Sequence, residues 1–318
     1  MLLLLVIAFF WHLSIGTRTI NITDLLASFY AYDDTNFDHI IIQEARLPRA
    51  LIAISVGACL SVSGALMQGV TRNPLADPGL LGMSTGGALA VVYWFSFTHA
   101  SALFWLPFVA ALGALCSALI VWFIASRAVM GITTSNLILA GAAFTAFSGA
   151  LLSIHHMIDQ VTFERLREWL VGSLLAANLE TLYWCLPFMA IGLCGALFFS
   201  SSVNALSMGE EVAIGLGISI KTRQWQLLIC IVLLTATAIA LAGPLGFIGL
   251  VIPHVTRFFV GVDYRKVIPY SLLLGAIYLL LVDSFARWLI QPQEIATGLI
   301  TLLIGAPIFI FLVKKRVR

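Results

Sequence analysis

TRNPLADPGLLGMSTGG, residues 71–87, decides how the chain is read. It closes an apolar run that begins near residue 50, sets Pro74 and Pro78 behind Asn73 and Asp77, and ends in a cluster of glycines. Proline pushes the residue before it out of the helical region, and Asn and Asp favour turns, so a helix must stop here. Two readings are open at this point. The break is a plain turn, or it is a constriction lined by Asn73 and Leu75, because irregular backbone at membrane depth survives where it is buried or faces an aqueous cavity.

Membrane depth is the right frame. The 318 residues are 61% hydrophobic and 10% charged, with a mean hydropathy of +1.03, whereas soluble domains carry about a quarter charged residues. The apolar runs are long and unbroken, which indicates spanning helices of roughly 20 residues and not barrel strands. No polar stretch is long enough for a soluble domain. MLLLLVIAFFWHLSIG at the start lacks a basic leader and a small-residue cleavage site, so it reads as the first spanning helix and not as a signal peptide. The five cysteines, Cys59, Cys116, Cys185, Cys194 and Cys230, lie in apolar runs without C-x-x-C spacing. That pattern points to packing, with neither a metal site nor a disulfide framework.

Apolar runs centre near residues 2–15, 50–70, 79–97, 103–126, 136–155, 181–200, 225–242, 245–260, 267–285 and 295–313. The expectation is an all-α polytopic membrane protein of about ten spans, one domain over 1–318. With both termini cytoplasmic, the inner side collects Arg72, Arg127, Lys221, Arg223, Arg257, Arg265, Lys266, Lys314, Lys315, Arg316 and Arg318. The outer side holds Arg18, Arg46, Arg49, Arg165, Arg167 and Arg287, together with most of the acids, as the positive-inside rule requires. Arg46, Arg49 and Arg287 stand at helix ends on the outer side and ask for a partner. Each half also carries a Gly/Pro-interrupted segment, NPLADPG at 73–79 and GPLGFIGL at 243–250, the relation expected of an inverted repeat.

Several constellations have a functional and a bland reading. GMSTG at 82–86 matches the G-x-S-x-G pattern of hydrolases, which would make Ser84 a nucleophile served by His155 or His156. No strand can precede it, and small residues in a span more commonly serve close helix packing. Adjacent histidines on a helix point about 100° apart and cannot share a ligand. His254 reads as a packing residue. Asp283 and Arg287 are one helical turn apart, so they pair with each other, or else Arg287 points outward to an acidic protein surface. NALSMGEEVAIGLGISIKTRQW, residues 204–225, is the longest inner connection, and it mixes exposed-looking apolar residues with glycines and a Glu210-Glu211 pair. It is either a membrane-hugging connector or a short helix near 208–216 that enters a partner's groove.

RLPRALIAISVGACLSVSGALMQGVTRNPLADPGLLGMSTG at 46–86 resembles the signature of the FecCD-type permeases, the membrane subunits of ABC importers for iron-siderophores, haem and cobalamin. The resemblance continues through TTSNLILAG at 133–141, WLVGSL at 169–174, the LSMGEEVAIGLG loop, GPLGFIGLVIPHVTRF at 243–258 and GLITLLIGAPIFIFLVKK at 298–315. It implies a type II importer fold and a dimer of permeases, homodimeric or with a paralogous subunit. It also implies a cytosolic ATPase dimer below and an extracytoplasmic binding protein above. By the same resemblance Arg46, Arg49 and Arg287 dock the binding protein, and Asn73, Leu75, Thr134 and Ser135 form cytoplasmic gates. Met208, Gly209, Glu210, Glu211, Val212, Ala213, Ile214, Gly215, Leu216 and Gly217 form the helix that couples to the ATPase. No G-x-x-x-x-G-K-[ST] phosphate loop occurs, so ATP would be hydrolysed on another subunit. No catalytic residue, metal site or cofactor is expected in this chain. A ferric siderophore is the expected cargo, with haem or cobalamin as the alternative and an intramembrane serine hydrolase using Ser84 as a distant one.

Overall fold

The computed structural model describes the chain apart from residues 17–18, 99–104, 129–132, 176–177, 292 and 317–318. Arg18 and Arg318 of the charge count therefore lie outside the described residues, as do the side chains of Thr134, Arg165, Lys315 and Arg316. The helices are α1 (Leu2–Ser14), α2 (Ile22–Tyr30), α3 (Phe37–Ile40), α4 (Leu47–Thr71), α5 (Met83–Thr98), α6 (Leu106–Ser126), α7 (Thr134–Ile158) and α8 (Gln160–Leu170). They continue with α9 (Leu179–Phe198), α10 (Ser200–Met208), α11 (Glu210–Gly215), α12 (Ile220–Ala242), α13 (Ile248–Val260), α14 (Tyr264–Leu289) and α15 (Thr297–Arg316). Each of the expected apolar runs coincides with a helix: α1, α4 to α7, α9 and α12 to α15. Short helices α2, α3, α8, α10 and α11 connect them.

Helix lengths depart from the uniform spans the hydropathy suggested. Among the described residues six segments are long and apolar enough to cross a membrane, whereas α1 and α13 have 13 residues and α5 has 16. Helices α5 and α13 each start after one of the two interrupted segments. Apart from glycine, the described residues with left-handed backbone are Arg72 (φ 52°) and Phe247 (φ 67°), one in each interruption. Side-chain-bearing residues adopt that conformation only where surrounding structure over-determines it.

Helix α4 is the axis of the molecule. Its apolar window is 89% buried, against 22% for α7 and for α9, and it packs on α12, α13 and α14. Such approach needs small residues where helices cross. Gly57 meets the Gly275 carbonyl of α14 and Gly64 meets the Gly249 carbonyl of α13, so closely that a Cβ on either would collide. GMSTG has the packing role: Gly86 and Gly87 of α5 lie against Gly113, Ser117 and Ala110 of α6.

Candidate functional site

The first interruption is built by its own side chains. Arg72 caps α4 in the left-handed conformation, and the Leu75 amide donates to Asn73 Oδ1 at 3.0 Å while the Gly79 amide donates to Asp77 Oδ1 at 2.7 Å. A single 3-10 turn, Pro78–Leu81, follows and ends at Gly82, whose φ of 67° and contact with Phe144 of α7 leave no room for a side chain. Of the expected gate residues, Asn73 spends its carboxamide oxygen on this turn and Leu75 is half-buried. Ser135 is exposed in the first turn of α7, where the Thr133 hydroxyl accepts from the Asn136 amide at 3.2 Å.

The second interruption meets the first in space. Pro253 lies inside α13 and has no N–H, so the Gly249 carbonyl one turn earlier loses its helical donor. Gln68 of α4, fully buried, replaces it by donating Nε2 to the Gly249 and Leu250 carbonyls at 3.2 Å each. Its Oε1 accepts from Arg257 Nη2 at 2.7 Å, and the same nitrogen donates to the Tyr264 hydroxyl at 3.2 Å. A Cβ on Gly249 would stand 3.1 Å from both the Asp77 carboxylate and Pro78, so the broken start of α13 rests directly on the NPLADP loop. The Gly/Pro pattern singled out both breaks but could not bring them together. Gln68, a rare carboxamide in an otherwise apolar helix one turn from the break, was the available signal.

At the opposite end, Arg46, Arg49 and Arg287 are 5%, 8% and 2% exposed. The partners these arginines ask for lie, in this structure, within the chain itself. Helix C-termini leave their last carbonyls unpaired and carry partial negative charge, and two of the arginines satisfy the C-terminus of α1. Arg46 Nη1 donates to the Leu13 and Ser14 carbonyls at 2.6 and 3.0 Å. Arg287 Nη1 and Nη2 donate to the Ile15 and His12 carbonyls at 2.9 and 3.0 Å. Arg49 grips Asp283 with two parallel bonds, Nε to Oδ2 at 2.8 Å and Nη2 to Oδ1 at 2.9 Å, and its Nη1 reaches Glu294 at 2.6 Å.

Asp283 is the hub of this end. Besides Arg49 it accepts from the Thr297 hydroxyl at 2.7 Å and from His12 Nε2 at 2.9 Å, which assigns His12 the Nε2–H tautomer. Arg287 Nε completes the pairing expected one turn along α14, at 3.3 Å and without hydrogen-bond alignment. One carboxylate thus joins α1, α4, α14 and the start of α15. His12 and Thr297 carry no signal in the sequence, because a histidine in a leucine run and a threonine before a span are unremarkable one at a time.

The histidines on α7 separate as the helical angle requires. His155 stacks on Tyr93 of α5 and lies 2.5 Å from Ser96 Oγ, while His156 packs on Phe163 of α8. Ser96 donates its hydroxyl hydrogen to Asp159 Oδ2 at 2.7 Å, so His155 Nε2 must be the donor toward Ser96. This direction is wrong for activating a nucleophile, and Ser84 is not the serine involved. The bonds from Ser96 and from Thr162 hold the Asp159 carboxyl down at about 2.

On the other side of the molecule, α10 and α11 are hinged at Gly209, whose φ of 124° only glycine tolerates readily. The anticipated short helix at 208–216 is α11, preceded by this break. Met208, Val212, Ile214 and Leu216 are exposed, Ala213 is buried, and the Glu210-Glu211 pair occupies the first turn. The positions of Gly209, Gly215 and Gly217 face open space. Arg72 Nη2 pairs with Glu210 at 3.0 Å, and the Asn204 carboxamide donates to Asp263 Oδ1 at 2.6 Å. That bond and the Arg265 amide hold the Asp263 carboxyl below the usual carboxylate range.

The family profile of the FecCD transport family matches residues 4–315. The chain belongs to the FecCD transport family. It is 38% identical to the ferric enterobactin transport system permease protein FepD of Escherichia coli (strain K12), covering 100% of this chain and 95% of that one. It is 37% identical to the Fe(3+)-citrate import system permease protein YfmD of Bacillus subtilis (strain 168), covering 96% and 90%. A solved structure titled as an inward-facing conformation of a metal-chelate type ABC transporter superposes with a TM-score of 0.86 at 31% identity, over 99% of this chain and 97% of that one. This FecCD protein is therefore a multi-pass permease subunit and not an enzyme, which removes the hydrolase reading of Ser84 on grounds independent of the hydrogen bonding.

Proposed function

We propose that the chain forms the translocation pathway of a binding-protein-dependent ABC importer for an iron(III)-siderophore complex in a bacterial cytoplasmic membrane. The observation that carries this reading is near-full-length likeness to permeases named for ferric enterobactin and ferric citrate. A cytosolic ATPase dimer supplies the energy, since no phosphate-binding loop occurs in the chain. Met208 to Gly217 enter a groove of that ATPase, a role supported by four exposed apolar side chains on an otherwise polar connector.

Both termini lie on the ATPase side. Asn73 and Leu75, with Thr134 and Ser135 at the start of α7, form the cytoplasmic gate, and alternating access opens it when the coupling helices move. A second permease subunit, identical or paralogous, covers part of the exposed faces of α7, and lipid covers the rest. The binding protein docks over Arg46, Arg49 and Arg287. Because these arginines are already paired, a docking carboxylate exchanges with Glu294, whose side chain is 21% exposed, and not with the inaccessible Asp283.

The test is uptake of iron-55 as ferric catecholate, hydroxamate and citrate, alongside labelled haem and cobalamin, in cells with and without the gene. Loss of one ferric chelate supports the reading and names the cargo. Loss confined to haem or cobalamin overturns the siderophore assignment, and unchanged uptake of all five counts against the importer.

A further inference from the structure

Helix α10 is linked to both interruptions, directly through Arg72 beside the first and through a chain of side chains to the second, by polar contacts that the transport reading does not use. Its inner face is buried through Ser202, Val203, Ala205 and Leu206, and it packs on α4 and α14, whereas α11 beyond the Gly209 hinge is exposed. Toward the first break, the Arg72 guanidinium spans the hinge: Nε donates to the Leu206 carbonyl at the end of α10, and Nη2 to Glu210 at the start of α11, both at 3.0 Å. Arg72 is also the left-handed residue that starts NPLADP, so a shift of its side chain bears directly on the turn of Asn73.

Toward the second break, Asn204 uses both ends of its carboxamide. It donates to Asp263 Oδ1 at 2.6 Å and accepts from the Tyr264 amide at 2.7 Å. The route continues from the Tyr264 hydroxyl to Arg257, to Gln68 and to the Gly249 carbonyl that Pro253 leaves without a donor. Each link is a hydrogen bond of ordinary length, and the chain ends at the irregular start of α13.

We infer that α10 relays movement of the ATPase-facing segment to the two interruptions, with Arg72 as the positioning residue for NPLADP and Asn204 as the positioning residue for GPLGFIGL. The inference rests on Met208 to Gly217 being the coupling segment. The strength of the contacts fits a relay. Arg72 and Glu210 form a pair whose side chains are 37% and 59% exposed, and exposed pairs contribute little to stability, so this link can be remade in each cycle without threatening the fold. The buried links around Gln68 are fully satisfied and hold their geometry.

The test uses the complete transporter, permease with its ATPase, in lipid nanodiscs, with exposed Cys116 and Cys194 replaced by Ser. Leu75→Cys reports on the first break. Gly246→Cys reports on the second, where a side chain meets nothing nearer than Leu302 at 3.7 Å. Maleimide labelling rates are read with and without ATP and vanadate. The expected result is a change of about threefold or more at both reporters in the parent. Arg72→Gln abolishes it at residue 75 and Asn204→Ala abolishes it at residue 246, with the ATPase still co-purifying. Parent-like responses in both variants overturn the relay. Loss of the ATPase from either variant also overturns it, since that residue would then serve docking alone. A parent that shows no response refutes the coupling and gate assignment itself, and that result is distinguishable because it needs neither variant.

Discussion

Asp283→Asn is the sharpest perturbation of the end where α1, α4, α14 and α15 meet. The carboxylate accepts two bonds from Arg49, one from Thr297 and one from His12, and lies 3.3 Å from Arg287 Nε, all with no exposure of its own. A carboxamide has one oxygen. If its NH2 takes the Oδ2 position, it faces His12 Nε2–H and Arg49 Nε–H, which are both donors. If it takes the Oδ1 position, it faces Arg49 Nη2 and must turn Thr297 from donor to acceptor. Either flip leaves at least one buried guanidinium donor without an acceptor and removes the anion closest to Arg49 and Arg287. Breaking a buried ion pair by removing one partner costs roughly 3–5 kcal/mol, whereas Thr297→Val, which deletes one hydrogen bond to a charged group, costs about 1.5–3 kcal/mol. Unfolding in mixed micelles titrated with SDS orders the two variants. Asp283→Asn within about 0.5 kcal/mol of the parent would refute the assignment of Asp283 as the hub.

Other outcomes follow from the same geometry. Gly64→Ala forces α4 from the Gly249 carbonyl and costs about 1–3 kcal/mol in that titration, while Gly149→Ala, whose Cβ would meet nothing of this chain within 4 Å, is neutral or stabilising by up to about 1 kcal/mol in the isolated permease. Asp substituted at Met208, Ile214 and Leu216 abolishes co-purification of the ATPase; a parent-like yield counts against the coupling segment. Arg49→Glu sets a third carboxylate beside Asp283 and Glu294 and disrupts the fold, so Glu294→Gln is the informative docking variant. It tightens binding-protein affinity several-fold by surface plasmon resonance if Glu294 competes for Arg49, and leaves it unchanged if it does not. The Asp159 carboxyl is held from 3.8 down to about 2, so its tie to Ser96 and α8 is fully present above pH 4 and is lost as pH falls through about 2. Hydrogen exchange over residues 160–170 should quicken across that window, and Asp159→Asn should remove the transition.

The sequence by itself determined the class, the ten long apolar runs and the positions of the breaks. Those properties are local: about twenty apolar residues in a row match the thickness of a bilayer, and Asn-Pro, Asp-Pro or Gly-Pro disfavours continuation of a helix. It also offered the pairing of Asp283 with Arg287 as one of two readings, because one helical turn brings them within reach; the structure decided between them. The motifs from RLPR to APIF named the family before any contact was known. Only the tertiary structure decided that Arg46 and Arg287 cap α1, that Arg49 holds Asp283, and that Asp77 lies against Gly249. Each of these joins residues far apart in the chain, and the crossings of α4 with α14 and α13 are set by Gly57 with Gly275 and by Gly64 with Gly249. An arginine at the end of a span looks the same in sequence whether it faces water or a neighbouring carbonyl. The difference is the desolvation of a charge, and that exists only once the helices have packed.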